Sequence, residues 1–301
     1  MDKCYKLQLR NKSLKAKLLN KDNVIILENI LENEIRKFER LQKLKVNEKL
    51  NFGKKLSSNE LNEIFPNICS QVDDFLDIQY GSVPRCNYFN LFSNDGIEKM
   101  TLLGYGVTAS LFATFSTCYY INPNAEYLLN SGVAYLELFL VSLVHTTLKN
   151  NSYFMGDIFL KKSRRTDLIP VAGHEYAHHV QYMNDICSCN HGIFEEGVSI
   201  RTQNYLAEKY SEIEDNEAFI YFTSYRNVND FKRVYRWMCK TLDINSNKNL
   251  IKCKSYFDLL DSAFFQPSNH ALGNSLFSIY EAVNGKEIYK DVFQGEFSFI
   301  L

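Results

Sequence analysis

The sequence is short of several things, and each shortage excludes a class of function. Net charge is nearly absent: 34 Lys and Arg against 35 Asp and Glu give −1 at pH 7, with a pI near 6.6. A chain so balanced has no basic footprint for a polyanion, so no nucleic-acid partner is expected. No apolar core follows the charged start Met1-Asp2-Lys3-Cys4-Tyr5-Lys6, so no signal peptide is read there. The expectation is a cytoplasmic chain with its eight cysteines mostly reduced, non-classical export being left open. Cys187-Ser188-Cys189-Asn190-His191 lacks the partner pair of a zinc knuckle and reads as a loop with two free thiols. Long apolar runs are few. Residues 101–121 are diluted by Thr and Ser and read as strands. Residues 127–148 carry Glu137 and His145 and read as a buried helix, so no membrane partner is expected. No internal repeat or low-complexity linker is evident. Histidine is scarce as well, six in 301 residues, so a cluster of histidines is informative.

What is present suits an enzyme. Apolar residues make up 46% and aromatics 14%, enough for a substantial core in one large or two small domains. Three regions are read. Residues 1–80 form a helical N-terminal region, with a stripe of Leu27, Ile30, Leu31, Ile35, Phe38 and Leu41. There Ser57-x-x-Glu60 looks like a capping box for a second helix that breaks before Pro66. Residues 81–190 form a sheet-containing catalytic subdomain, with Tyr153–Leu160 as an edge strand. Residues 191–301 form a mostly helical C-terminal subdomain, with helices over 194–211, 216–242, 255–265 and 270–283. The fold class expected is α+β.

The densest chemistry lies at His174-Glu175-Tyr176-Ala177-His178, an H-E-x-x-H, followed by Phe194-Glu195-Glu196-Gly197. On a helix, residues four apart share a face, so His174 and His178 can aim both imidazoles at one ion. Thr166 or Asp167 can cap that helix, and Pro170 suits its first turn. Ile169, Ala172, Tyr176, Val180 and Met183 make an apolar stripe beside the histidine face. A carboxylate 18 residues past His178 completes a set of two His and one Glu, which leaves a tetrahedral Zn2+ one open position. Glu195 and Glu196 compete for that role. Glu196 shares a helical line with Ile200, Gln203, Ala207 and Tyr210, more apolar than the line of Glu195 with Val198, Thr202 and Lys209, and is preferred. Gly197 lets the two helices approach closely.

These residues resemble the gluzincin metallopeptidases, and the wording HEYAHHVQ followed by FEEGVS is similar to the zinc core of bacterial collagenases. The resemblance spans roughly residues 150–212. It implies a zincin-like fold, a small twisted sheet plus an active-site helix, and a zinc-dependent peptidase acting on a peptide or protein substrate. It implies His174, His178 and Glu196 as metal ligands, the glutamate before the glycine being the ligand in that pattern. It implies Glu175 as the catalytic base and an edge strand that holds an extended peptide. Clan members also place a His or Tyr from the C-terminal half on the oxyanion; here His270, Tyr256 and Tyr280 are the candidates. The aminopeptidase G-x-M-E-N-type signature is not apparent, so exopeptidase action of that kind is not carried over. Two alternatives stand beside this reading: a catalytically silent binding module, and a membrane-associated zinc protease. No oligomeric state is specified.

Overall fold

Leu27, Leu31, Phe38 and Leu41 recur at helical spacing, and in the computed structural model of the chain they are the buried face of helix α2 (Lys21–Val46). The structure describes residues 12–78, 83–89, 113–114, 153–155, 157–161, 163–184, 192–247, 249–250, 267–285 and 289. The stretches 101–121 (all but 113–114) and 127–148, the Cys187–His191 loop, the helix expected over 255–265 and Tyr256 lie outside them. Helix α1 covers residues 12–18 and buries Leu14 and Leu18. The Asn20 side chain caps α2 by accepting from the Asp22 amide at 3.1 Å. Burying a leucine such as Leu27 or Leu31 stabilises by about 1.5–3 kcal/mol.

Helix α3 (Ser58–Leu76) opens on the expected capping box: the Glu60 amide donates to Ser57 Oγ at 3.3 Å, and the Ser57 amide donates to Glu60 Oε2 at 2.8 Å. The expected break before Pro66 does not occur, and α3 runs through it. Pro66 and Asn62 both lie on the exposed face, so the carbonyl that loses its donor is open to water.

The α+β expectation is corrected. Among the described residues there are seven helices, and β structure amounts to three short strands, β1 (Cys86–Phe89), β2 (Tyr153–Met155) and β3 (Asp157–Lys161), and one isolated bridge between Lys55 and Arg164. Strands of three to five residues provide no layer for helices to pack on, and the core is made by helix on helix instead. The single edge strand expected over Tyr153–Leu160 is two strands. The order is β1-β3-β2, so the strand that leads into the histidine helix is paired on both sides and offers no free edge.

The chain divides into two compact units: Met1–Cys86 with Phe154–Ile158 and Ser163–Leu301, and Asn87–Tyr153 with Phe159–Lys162. Among the described residues the first holds the seven helices, and Ala113 and Thr114 of the second are helical too. After β3 come α4 (Arg165–Met183), α5 (Ile193–Ile213), α6 (Ala218–Thr241) and α7 (Asn269–Asn284). Helix α5 is the central one: α4 and α7 pack closely on it, α6 packs on α5 and α7, and α2 covers α6. Two close approaches set this arrangement. Gly173 faces the Leu206 side chain where α4 meets α5, with no room for a Cβ. Gly197 and Gly273 face each other where α5 crosses α7; a Cβ on Gly197 would meet Gly273 O at 2.9 Å and the Phe277 ring closer still. Gly197 therefore serves the α5–α7 crossing, and Gly173 serves the α4–α5 approach that had been assigned to Gly197.

Candidate metal centre

Helix α4 begins at Arg165, earlier than its expected caps. No side chain caps it; Thr166 Oγ1 instead donates to Phe52 O at 3.0 Å. Pro170 consequently sits in the second turn. The two-sided helix expected from the stripe is in fact buried nearly all round, from Leu168 to Gln181, and opens to solvent only at Tyr182 and Met183. His174, Glu175 and His178 are thus held in the interior, at 9%, 6% and 2% exposure.

One turn apart on α4, His174 Nε2 and His178 Nε2 approach to 3.2 Å. Glu196 Oε2, from the first turn of α5, lies 3.8 Å from the former and 3.9 Å from the latter. A point equidistant from the three atoms of such a triangle is about 2.1 Å from each, the length of a zinc–nitrogen or zinc–oxygen bond. His174, His178 and Glu196 could therefore hold a metal ion, and they form one group of convergent ligand atoms. The donor set, two imidazoles and a carboxylate, is borderline in softness and suits zinc among several divalent ions.

The elements around the triangle orient it. Ser199, one turn past Glu196 on α5, stands 3.2 Å from His178 Nδ1 and accepts from Gln181 Nε2 at 3.3 Å. A ligating Nε2 requires the proton on Nδ1, where it donates to Ser199 Oγ and fixes ring and tautomer together. Gln181 Nε2 also donates to Glu195 O at 3.1 Å, tying α4 to the first turn of α5. The choice between the two glutamates falls on Glu196, though not for the reason the helical lines suggested. Glu195 is fully buried and Glu196 only partly so; direction toward the histidines, rather than burial, separates them.

Glu175 is kept from water. Burial raises its carboxyl to about 8, the negative charge of Glu196 adds to the rise, and the positive charge of Arg226 opposes it. A cation at the triangle would act in the same direction as Arg226.

The opposite wall comes from α7 and α6. Ser268 caps α7 by accepting from the Ala271 amide at 3.2 Å, which sets His270 in the first turn. The His270 ring lies 6.1 Å from that of His174, and its Nδ1 is 3.2 Å from Asp230 Oδ2. Asn274, one turn below His270, donates to the same oxygen at 3.1 Å and to Asn227 Oδ1 at 2.9 Å. Asn204 Nδ2 donates to Asn227 Oδ1 at 3.3 Å. Of the two oxyanion candidates among the described residues, His270 and Tyr280, the structure brings His270 up to the histidine pair. Tyr280 packs edge-on against Phe277 instead, and burial raises its phenol. Asp230, Asn227, Asn204, Asn274 and Ser199 were missed in the sequence. Their one signal is a run of small polar residues on helix faces that otherwise bury apolar side chains.

Comparison with protein-family models, with curated proteins and with solved structures finds no match to this chain. No helix among the described residues is long and apolar enough to cross a membrane.

Proposed function

We propose that this protein is a zinc-dependent peptidase that hydrolyses peptide bonds with an activated water. The observation that carries the reading is the triangle of His174 Nε2, His178 Nε2 and Glu196 Oε2, sized for a metal ion, with a buried Glu175 on the same helix. A purely structural metal site has no use for a carboxyl group at that position, and structural zinc is enclosed by four protein ligands rather than three. Zinc held there would polarise the scissile carbonyl and lower the pKa of water. Glu175 takes the proton of the attacking water and returns it to the leaving amine. His270 presents Nε2–H to the oxyanion while Asp230 Oδ2 holds its Nδ1, and Asn274, which also donates to Asn227, donates to Asp230. Ser199 keeps the His178 ring in its ligating tautomer. Localisation in a reducing cytoplasm belongs to the same reading; the described cysteines Cys69, Cys86 and Cys239 are unbridged thiols.

The test starts from purified full chain loaded with zinc and a broad peptide library. Cleavage that a chelator abolishes and zinc restores supports the proposal. Binding of one zinc per chain with no cleavage of any peptide would leave a metal-binding module in its place.

A further inference from the structure

Arg226 stands out among the charged groups near the site. It is half-buried on α6, one turn before Asp230 and next to Asn227. Among the described residues its hydrogen-bond partner is neutral: Nη1 donates to Gln203 Oε1 at 2.7 Å, and no carboxylate lies within ion-pair distance. A guanidinium has five N–H donors in a planar fork, and Gln203 satisfies one of them. The arrangement is a held cation rather than a neutralised one. Gln203 is itself buried at 3% exposure, so the fork is steadied from below by a side chain that cannot swing away. One turn further along the same helix, Asp230 holds the His270 ring that faces His174, so Arg226 stands on the side of α6 that meets the site.

The position along α5 gives the scale. Gln203 follows Glu196 by two helical turns on the same face, a rise on the order of 10 Å. Two or three extended residues of a peptide cover about that span. Resting on the peptidase reading, the geometry points to Arg226 as the anchor for a substrate carboxylate, the free C-terminus of a peptide whose scissile bond lies two or three residues upstream. The enzyme would then release short C-terminal fragments. An Asp or Glu side chain offers the same chemistry from a second source.

Three matched hexapeptides separate these cases: one with a free C-terminal carboxylate, one amidated, and one amidated with aspartate as the last residue. Zinc-loaded full chain is assayed with each, fragments are identified by mass spectrometry, and kcat/KM is compared. The free acid is expected to exceed the plain amide by roughly tenfold to a hundredfold, the scale of a charge-assisted pair, with di- or tripeptides as products. Recovery of the rate by the aspartyl amide would assign the anchor to an acidic side chain instead of the terminus. In Arg226→Gln the acid-to-amide ratio should fall to about one, and Arg226→Lys, which keeps charge but not the fork, should lie between. Helicity and zinc content certify that each variant is folded; should Arg226→Gln fail there, Arg226→Lys carries the comparison. Equal cleavage of acid and amide by the wild type, or a ratio that survives in a folded, zinc-loaded variant, overturns the anchor. If the wild type cleaves nothing, fluorescence anisotropy of the labelled acid and amide decides. A preference for the acid lost in the variant sustains the anchor while the peptidase reading falls, and equal binding overturns it.

Discussion

His174, His178 and Glu196 come from 23 consecutive positions, whereas Asn204, Asn227, Asp230, His270 and Asn274 are spread over 71. The first group is set by one helical turn of α4 and the first turn of α5. The second needs three helices, α5, α6 and α7, packed together, because each of its polar contacts joins two different helices. The metal side is therefore a short-range construction and the polar side a long-range one. The polar side is also the more exacting, because each of its buried amides is placed by a partner on another helix.

That contrast can be broken by experiment. The largest effect is expected from the short-range side: His178→Ala should empty the site of zinc and lower any peptidase activity more than a hundredfold, since even an outer partner of a ligand is worth roughly tenfold to a hundredfold. Metal analysis after dialysis checks it, and full zinc retention would remove His178 from the ligand set. Glu175→Gln comes next. It should keep its zinc and its helicity and lose about a hundredfold to ten-thousandfold in kcat. Equal turnover by this variant and the wild type would refute Glu175 as the base.

The long-range side should behave differently. Asp230→Ala is expected to keep zinc yet lower kcat by on the order of tenfold to a hundredfold, by freeing the His270 ring. It should also cost about 1–3 kcal/mol in a denaturant titration, because Asn274 loses a buried acceptor. If Asp230→Ala sheds zinc as completely as His178→Ala, the two sides are not separable. Ser199→Ala sits between them: zinc affinity should fall by roughly tenfold while the fold is unchanged, as read by competition with a coloured chelator.

The smallest effect lies away from the site altogether. Lys54 and the Ser57 cap hold the Glu60 carboxyl down at about 2, against an ordinary 4.5. A depressed carboxylate contributes stability that is present above pH 4.5 and is lost as pH falls toward 2. Glu60→Gln should therefore flatten the acid limb of the stability curve slightly and leave zinc binding untouched, and an unchanged acid limb would show that the capping contact carries no weight in solution.

How much of this was legible in the sequence follows the same division. The helices over α2, α3, α5, α6 and α7 could be read because apolar spacing and Ser57-x-x-Glu60 act within a few residues. The ligand triangle could be read because His174 and His178 are one turn apart. Pro66 misled because a proline's effect depends on whether the carbonyl it orphans meets water or protein, which only packing decides. The sheet was overestimated because a zincin-like architecture was carried over from a short motif, and a motif reports local geometry rather than the layers around it. Asp230 and Asn274 were invisible because nothing in their neighbours distinguishes a solvent-facing amide from one that is buried and paired.

The crossing of Gly197 with Gly273 bears on how the site could be altered. Gly197 directly follows the candidate ligand Glu196, and Gly273 lies three residues past His270. The gap between the two walls is thus gauged by main chain touching main chain, like a machined stop between two jaws. Such a stop has no rotamers and no give. Substitutions in the walls can change what the jaws grip, but a methyl group at either glycine would reset how far apart they stand.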